Sequence, residues 1–269
     1  MAPGKLEENV TNYLRRIWTL RYFWLSLIRH DLQNRYRRSI LGVGWSLMQP
    51  LMMTAVLCLV FHGMFEVDLW EYAPFVFVGL VFWAFISHAV QHGCRAFHNA
   101  TTYIRQECAP MAIYPLRAVS VGGLQLLIAM SAVLPLAIWT SGTPLDWPLL
   151  SLPFAFALLL AIGWSLAVLA GVATVYFPDI EHLSPAALQV LFYATPIIYP
   201  AAALRNRGFD WVIDYNPLAA CLELLRRPLL EAAWPSPVAV GVAALFAASL
   251  MLLASVVLAR AERRLVFHL

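Results

Sequence analysis

Lysine is almost absent from this chain: among 269 residues, the 18 basic ones include a single lysine, Lys5. No nucleotide-binding loop of the GxxxxGK[ST] kind is possible, because its lysine must reach the phosphates. GxSxG, HExxH and CxxC are missing too, which removes the serine-hydrolase elbow, the zincin helix and the dithiol pair. The four cysteines (Cys58, Cys94, Cys108, Cys221) form no close pair and read as small buried or interfacial residues. Charge of either sign is scarce, 12% of residues, against about 25% in soluble domains. The scarcity is organised. No Asp, Glu, Lys or Arg occurs in 39–65, 72–94, 118–145, 147–178, 182–204 or 232–259. With no carboxylate inside those runs there is nothing to relay protons or hold sodium, which argues against transport driven by an ion gradient.

What fills the runs is apolar: 61% of the chain is hydrophobic. About 20 such residues in a helix span a bilayer, and one central charge would cost about 2.5–3.5 kcal/mol on insertion scales. Lipid leaves helices as the expected form, since an open backbone finds no partner there. The expectation is an all-α membrane protein, a single transmembrane domain over 1–269. Its six spans fall near 40–63, 73–94, 117–140, 148–175, 183–200 and 237–259. No cleavable leader is expected, because the first long apolar run starts near residue 39.

Arginine sets the orientation. Eight of the 18 basic residues lie in 1–38, three in the 95–117 loop (Arg95, Arg105, Arg117) and three in the tail (Arg260, Arg263, Arg264). The remaining four, Arg205, Arg207, Arg226 and Arg227, fall in the 205–231 connection. Six spans then give 14 against 4, with both termini cytoplasmic and the protein multi-pass in a plasma membrane.

Some segments depart from plain spans. Trp18, Tyr22, Leu25, Ile28, Leu32 and Tyr36 recur at helical spacing and predict an interface helix over 13–36, with Arg21 and Arg29 snorkelling to headgroup depth. Gln49-Pro50 interrupts the first span. "SPAALQVLFYATPIIYP" puts three prolines into the fifth. The stretch 201–236 is too broken to span yet half apolar, with Leu218, Cys221, Leu222, Leu225 and Leu229 at helical offsets. It reads as a re-entrant hairpin whose second helix starts at Asn216-Pro217. The only metal-like group is His88, His92, Cys94 and His98. Zinc is geometrically open to it, but histidines at a span end more often serve hydrogen bonds at headgroup level.

Four motifs in order carry a family resemblance. The basic run before "LGVGWSLMQP" resembles the opening of the type-2 ABC permeases that export polysaccharides. "FPDI" at 177–180 is similar to that family's short cytoplasmic motif after span four, with Pro178 where arginine is common. "TPIIYP" at 195–200 resembles the end of span five, and "NPLAACLELLRRPLL" resembles the Asn-Pro with following arginine after the re-entrant turn. The best match is to O-antigen and teichoic-acid export permeases, with capsule permeases next. The resemblance implies an interface helix, a coupling helix between spans two and three, and re-entrant helices at the outer face. It also implies a homodimer with two separate ATPase subunits, which bind the ATP and magnesium, and a glycan on a lipid carrier as substrate.

Site residues follow as expectations. Sugar rings favour aromatic faces and hydroxyls favour amides, so Trp45 and Gln49, with Phe192, Tyr193 and Tyr199, are candidates to line a channel; packing and interfacial belts are the alternative. Arg35, Arg37 and Arg38 fit a diphosphate headgroup, since arginine binds phosphate through paired hydrogen bonds, and also fit plain positive-inside anchoring. Thr102, Tyr103, Ile104, Arg105 and Glu107 would form the ATPase-coupling helix. A permease for a small hydrophobic substrate and a membrane enzyme acting on lipid-linked sugars are the rival classes; a catalytic site is not expected.

Overall fold

Proline sets many of the helix boundaries. The computed structural model describes residues 10–37, 42–65, 68–106, 109–141, 147–200 and 216–268, and every regular element among them is helical. In chain order these are α1 (Val10–Thr19), α2 (Arg21–Tyr36), α3 (Trp45–Phe65), α4 (Leu69–Arg95) and α5 (Thr101–Gln106). They continue with α6 (Ile113–Ser141), α7 (Leu152–Tyr176), α8 (Ile180–Ala194), α9 (Pro217–Leu230) and α10 (Pro237–His268). α9 and α10 begin on proline, and α7 carries Pro153 in its first turn, where the missing N–H costs nothing. Side chains cap the starts: Asp68 accepts from the Trp70 amide at 3.1 Å, Asn216 from Leu218 at 2.9 Å and Ser236 from Ala239 at 3.2 Å.

Among the described residues, four helices are long and apolar enough to cross a membrane: Leu69–Arg95, Ile113–Pro135, Trp147–Tyr176 and Pro237–Glu262. The stretch Trp45–Phe61 is apolar but shorter. α8 has 15 residues, about 22 Å of helix, short of a hydrocarbon core of about 30 Å. It stops because Thr195 precedes Pro196 and is driven to φ −103°, ψ 137°. The expected hairpin over 201–236 lies partly outside the described residues. Its second helix, α9, starts at Asn216-Pro217 as the sequence indicates.

The interface segment differs from the single stripe expected. The helix breaks at Leu20 (φ −84°, ψ 16°) into α1 and α2. Across the break the stripe divides: Trp18 and Tyr22 are exposed, Ile28 is buried, and so is Leu27, which the stripe placed on the opposite side. α2 packs on α6, so it is buried wherever it faces that span.

α4 is central. It touches α3, α6, α7, α8 and α9, and 56% of its most apolar window is buried within the protein, against 22% for α10. Phe77, Phe82, Phe85 and Ile86 of α4 meet Leu159 and Ile162 of α7 and Leu222 and Leu224 of α9 in the main core. A second cluster closes the arginine-rich end, with Phe97, Ile104, Tyr114, Val172, Leu258 and Leu265. α3 is held to α4 by a smaller cluster of Leu57, Cys58, Tyr72 and Val76, and leaves Met52, Val56 and Leu59 exposed. α4 and α7 cross closely at glycine: a Cβ on Gly171 would lie 2.7 Å from the Gly93 carbonyl oxygen, and one on Gly93 would lie 2.5 Å from the Ala167 Cα. Small residues permit such contact, and in lipid it is packing that holds helices together.

Candidate functional site

The break at the end of α8 leaves backbone carbonyls with no helical partner, and apolar surroundings make that costly. Side chains from two other helices accept the task. Asn216 Nδ2 donates to the Ala194 carbonyl at 3.1 Å and to Thr195 Oγ1 at 3.0 Å. Arg226 donates from Nη1 to the Pro196 carbonyl at 2.6 Å and from Nη2 to that of Ile197 at 2.7 Å. Tyr72 donates its hydroxyl to the Ile198 carbonyl at 2.6 Å. Tyr199 folds back, its hydroxyl donating to the Tyr193 carbonyl at 2.7 Å.

Arg226 is the centre of this arrangement. It is 9% exposed, and among the described residues no carboxylate pairs with it. Its charge is instead solvated by carbonyl dipoles, including that of Phe75 at 3.1 Å, and by the Phe75 ring 3.5 Å beneath Cζ. Gly79 makes the room: a Cβ there would sit 2.7 Å from Nη2. The interrupted end of α8, the helix α9 and the first half of α4 are thereby joined. The Asn-Pro and the later arginine were visible in the sequence as a motif; Tyr72 was not, since nothing local marks it.

At the arginine-rich end the ties are of another kind. Arg95 at the end of α4 pairs with Glu181 at the start of α8 at 2.6 Å. Arg117 of α6 makes a two-pronged pair with Asp31 of α2. Glu262 of α10 accepts from the Tyr13 hydroxyl at 3.2 Å and from the Met111 amide at 3.1 Å, so one carboxylate joins α1, α10 and the link between α5 and α6. Burial, reinforced by Glu262, pushes the Tyr13 phenol above its ordinary value, which keeps it a donor.

The expected site residues are placed unevenly. Trp45, Gln49 and Tyr193 are exposed, Tyr199 half-buried. Phe192 turns inward and meets Trp83 edge-on at 5.6 Å, a packing role between α4 and α8. In the coupling segment Thr102 is exposed, Ile104 is buried in the second cluster and Tyr103 meets Phe23 of α2 edge-on at 6.2 Å. The side chains of Arg35 and Arg105, and all of Arg38, Glu107 and Cys108, lie outside the described residues; Arg37 is exposed where α2 ends. Cys58, Cys94 and Cys221 are buried free thiols. The His88 and His92 rings lie 4.0 Å apart, tilted by 34°, and among the described residues no group of three ligating side chains is placed to hold a metal ion.

The described helices form a bundle around α4, with several apolar enough to cross a membrane and one, α8, broken at its end and re-fastened by side chains. The chain belongs to the ABC-2 type transporter family, whose model matches residues 22–230. It is 27% identical over 198 residues to the O-antigen export system permease protein RfbA of Klebsiella pneumoniae, covering 71% of this chain and 74% of that protein. It is 24% identical over 210 residues to the O-antigen export system permease protein RfbA of Myxococcus xanthus, covering 78% and 80%.

Proposed function

We propose that this chain is the permease subunit of an exporter that moves a lipid-linked polysaccharide of O-antigen type outward across the bacterial inner membrane. The family match over 22–230, together with relatives named as O-antigen export permeases, carries this reading. Two copies pair with two separate ATPase subunits, which bind ATP and magnesium, because a chain with one lysine at position 5 has no P-loop. α3 and α8 complete six spans, and the arginine-rich end, with both termini, faces the cytoplasm. Trp45, Gln49, Tyr193 and Tyr199 line the sugar path. Arg35, Arg37 and Arg38 receive the carrier's diphosphate, and α5 with Thr102 at its surface couples to the ATPase.

The test is complementation. A host lacking its own O-antigen permease receives this chain together with a partner ATPase subunit, and surface glycan is measured by immunoblot. Restored surface glycan, dependent on the ATPase, is expected. Cytoplasmic accumulation of lipid-linked glycan with both subunits present and assembled would overturn the reading and favour a small hydrophobic substrate.

A further inference from the structure

Between α2, the last turns of α4 and the first turns of α6 lies a cavity of about 410 Å³. Its polar wall is formed by Asp31, His88, His92, Asn99, Tyr114 and Arg117. No role proposed above uses it. Ligand cavities typically measure about 300–1,000 Å³ and owe their selectivity to a few convergent polar groups.

The wall holds both signs of charge side by side. Arg117 binds Asp31 through Nε and Nη2, so Nη1 keeps its protons without a described partner. Each Asp31 oxygen retains a second lone pair. Neither side chain is fully covered: 17% of Arg117 and 32% of Asp31 remain exposed. His88 Nε2 lies 3.2 Å from the Ala118 carbonyl, which fixes it as the donor, and the His92 ring lies 4.0 Å away, tilted by 34°, and is exposed. The Asp31 carboxylate and the Arg117 guanidinium offset one another at the wall. Asn99 adds an exposed carboxamide at the rim.

A purely anionic ligand meets Asp31, and a purely cationic one meets Arg117. A zwitterion lying antiparallel to the Asp31–Arg117 pair satisfies both. Its phosphate accepts from Arg117 Nη1 and from an imidazole, and its amine donates to Asp31. A primary ammonium has three protons to give; a quaternary one has none and calls for an aromatic cage. The depth is that of lipid headgroups on the cytoplasmic side, a placement that rests on the orientation proposed above.

We propose that this cavity binds a phosphoethanolamine group, carried by a membrane phospholipid, and that the headgroup fastens α2 to the feet of α4 and α6. The experiment uses the full-length protein in detergent, supplemented with phosphatidylethanolamine, phosphatidylglycerol or phosphatidylcholine of matched chains, or with soluble O-phosphoethanolamine. Native mass spectrometry reads retained lipid, and thermal unfolding reads protection. Phosphatidylethanolamine is expected to be retained at least fivefold over the other two lipids, and His92→Ala and Asn99→Ala to reduce that preference at least threefold with unchanged size-exclusion profiles. Asp31→Asn is expected to abolish it. Protection by soluble O-phosphoethanolamine equal to that by the lipid supports the same site and assigns its occupant to the cytosol. Equal retention of the three lipids, or undiminished preference in both the His92 and Asn99 variants, overturns the proposal. Lipid selectivity without glycan export would count against the proposed substrate and not against this site.

Discussion

Arg226 concentrates more of the fold's polar logic than any other side chain described. A buried guanidinium with no carboxylate is tolerated because carbonyls of Phe75, Pro196 and Ile197 converge on it. Removing it strands acceptors whose desolvation costs about 1–3 kcal/mol each. Arg226→Gln is therefore expected to lower stability by about 3 kcal/mol, Arg226→Lys by less, and Tyr72→Phe, which loses one bond, by about 1 kcal/mol. Thermal unfolding of the purified variants orders them; a Tyr72→Phe loss as large as that of Arg226→Gln would show that the guanidinium is not central. Arg35, Arg37 and Arg38 call for the opposite kind of change. Lysine at all three keeps the charge that sets topology but loses the planar fork that grips phosphate. Normal membrane insertion with export reduced several-fold is expected, read by protease accessibility and surface glycan. Full export would leave these arginines as anchors alone.

Among the elements, α4 and α7 cross with backbone close to backbone. Gly171→Ala forces a methyl against the Gly93 carbonyl and the Phe97 ring, and overpacking of this kind costs about 1–3 kcal/mol. A Cβ on Gly241 of α10 would meet nothing within 4 Å, so Gly241→Ala should be neutral or stabilising by up to about 1 kcal/mol. Detergent-solubilised melting curves separate the two, and equal behaviour would mean that the crossing yields without cost. The long elements were legible in the sequence because lipid permits no charge and no open backbone: the charge-free runs 72–94, 118–145, 147–178 and 232–259 contain the bulk of α4, α6, α7 and α10. Run length does not mark where α8 ends, since hydropathy continues through Thr195-Pro196 while the helix does not. Periodicity missed the break at Leu20, and the buried face of α2 holds Leu27 beside Ile28. The clasp was legible only as fragments. Its partners are 126 residues apart for Tyr72 and Ile198 and 151 for Phe75 and Arg226, and no local pattern encodes such a meeting.

For the whole molecule, the proposed assembly has direct consequences in solution. Two copies of a 30.1 kDa chain should appear together by native mass spectrometry, and the chain alone should hydrolyse no ATP. Adding the ATPase subunit should restore hydrolysis, and a chain that stays single in the presence of its partner would count against the homodimer. The clasp at the end of α8 also bears on how the protein is made. Arg226 leaves the ribosome 30 residues after Pro196, whose carbonyl it will bind. Until then the Pro196 and Ile197 carbonyls just past α8 lack the donor that holds them in the folded chain, and water must stand in. Biogenesis thus cannot finish the end of α8 in sequence order: it is completed backwards, when α9 arrives. A nascent chain arrested before residue 226 should remain accessible to quality-control proteases, however well its earlier helices are inserted.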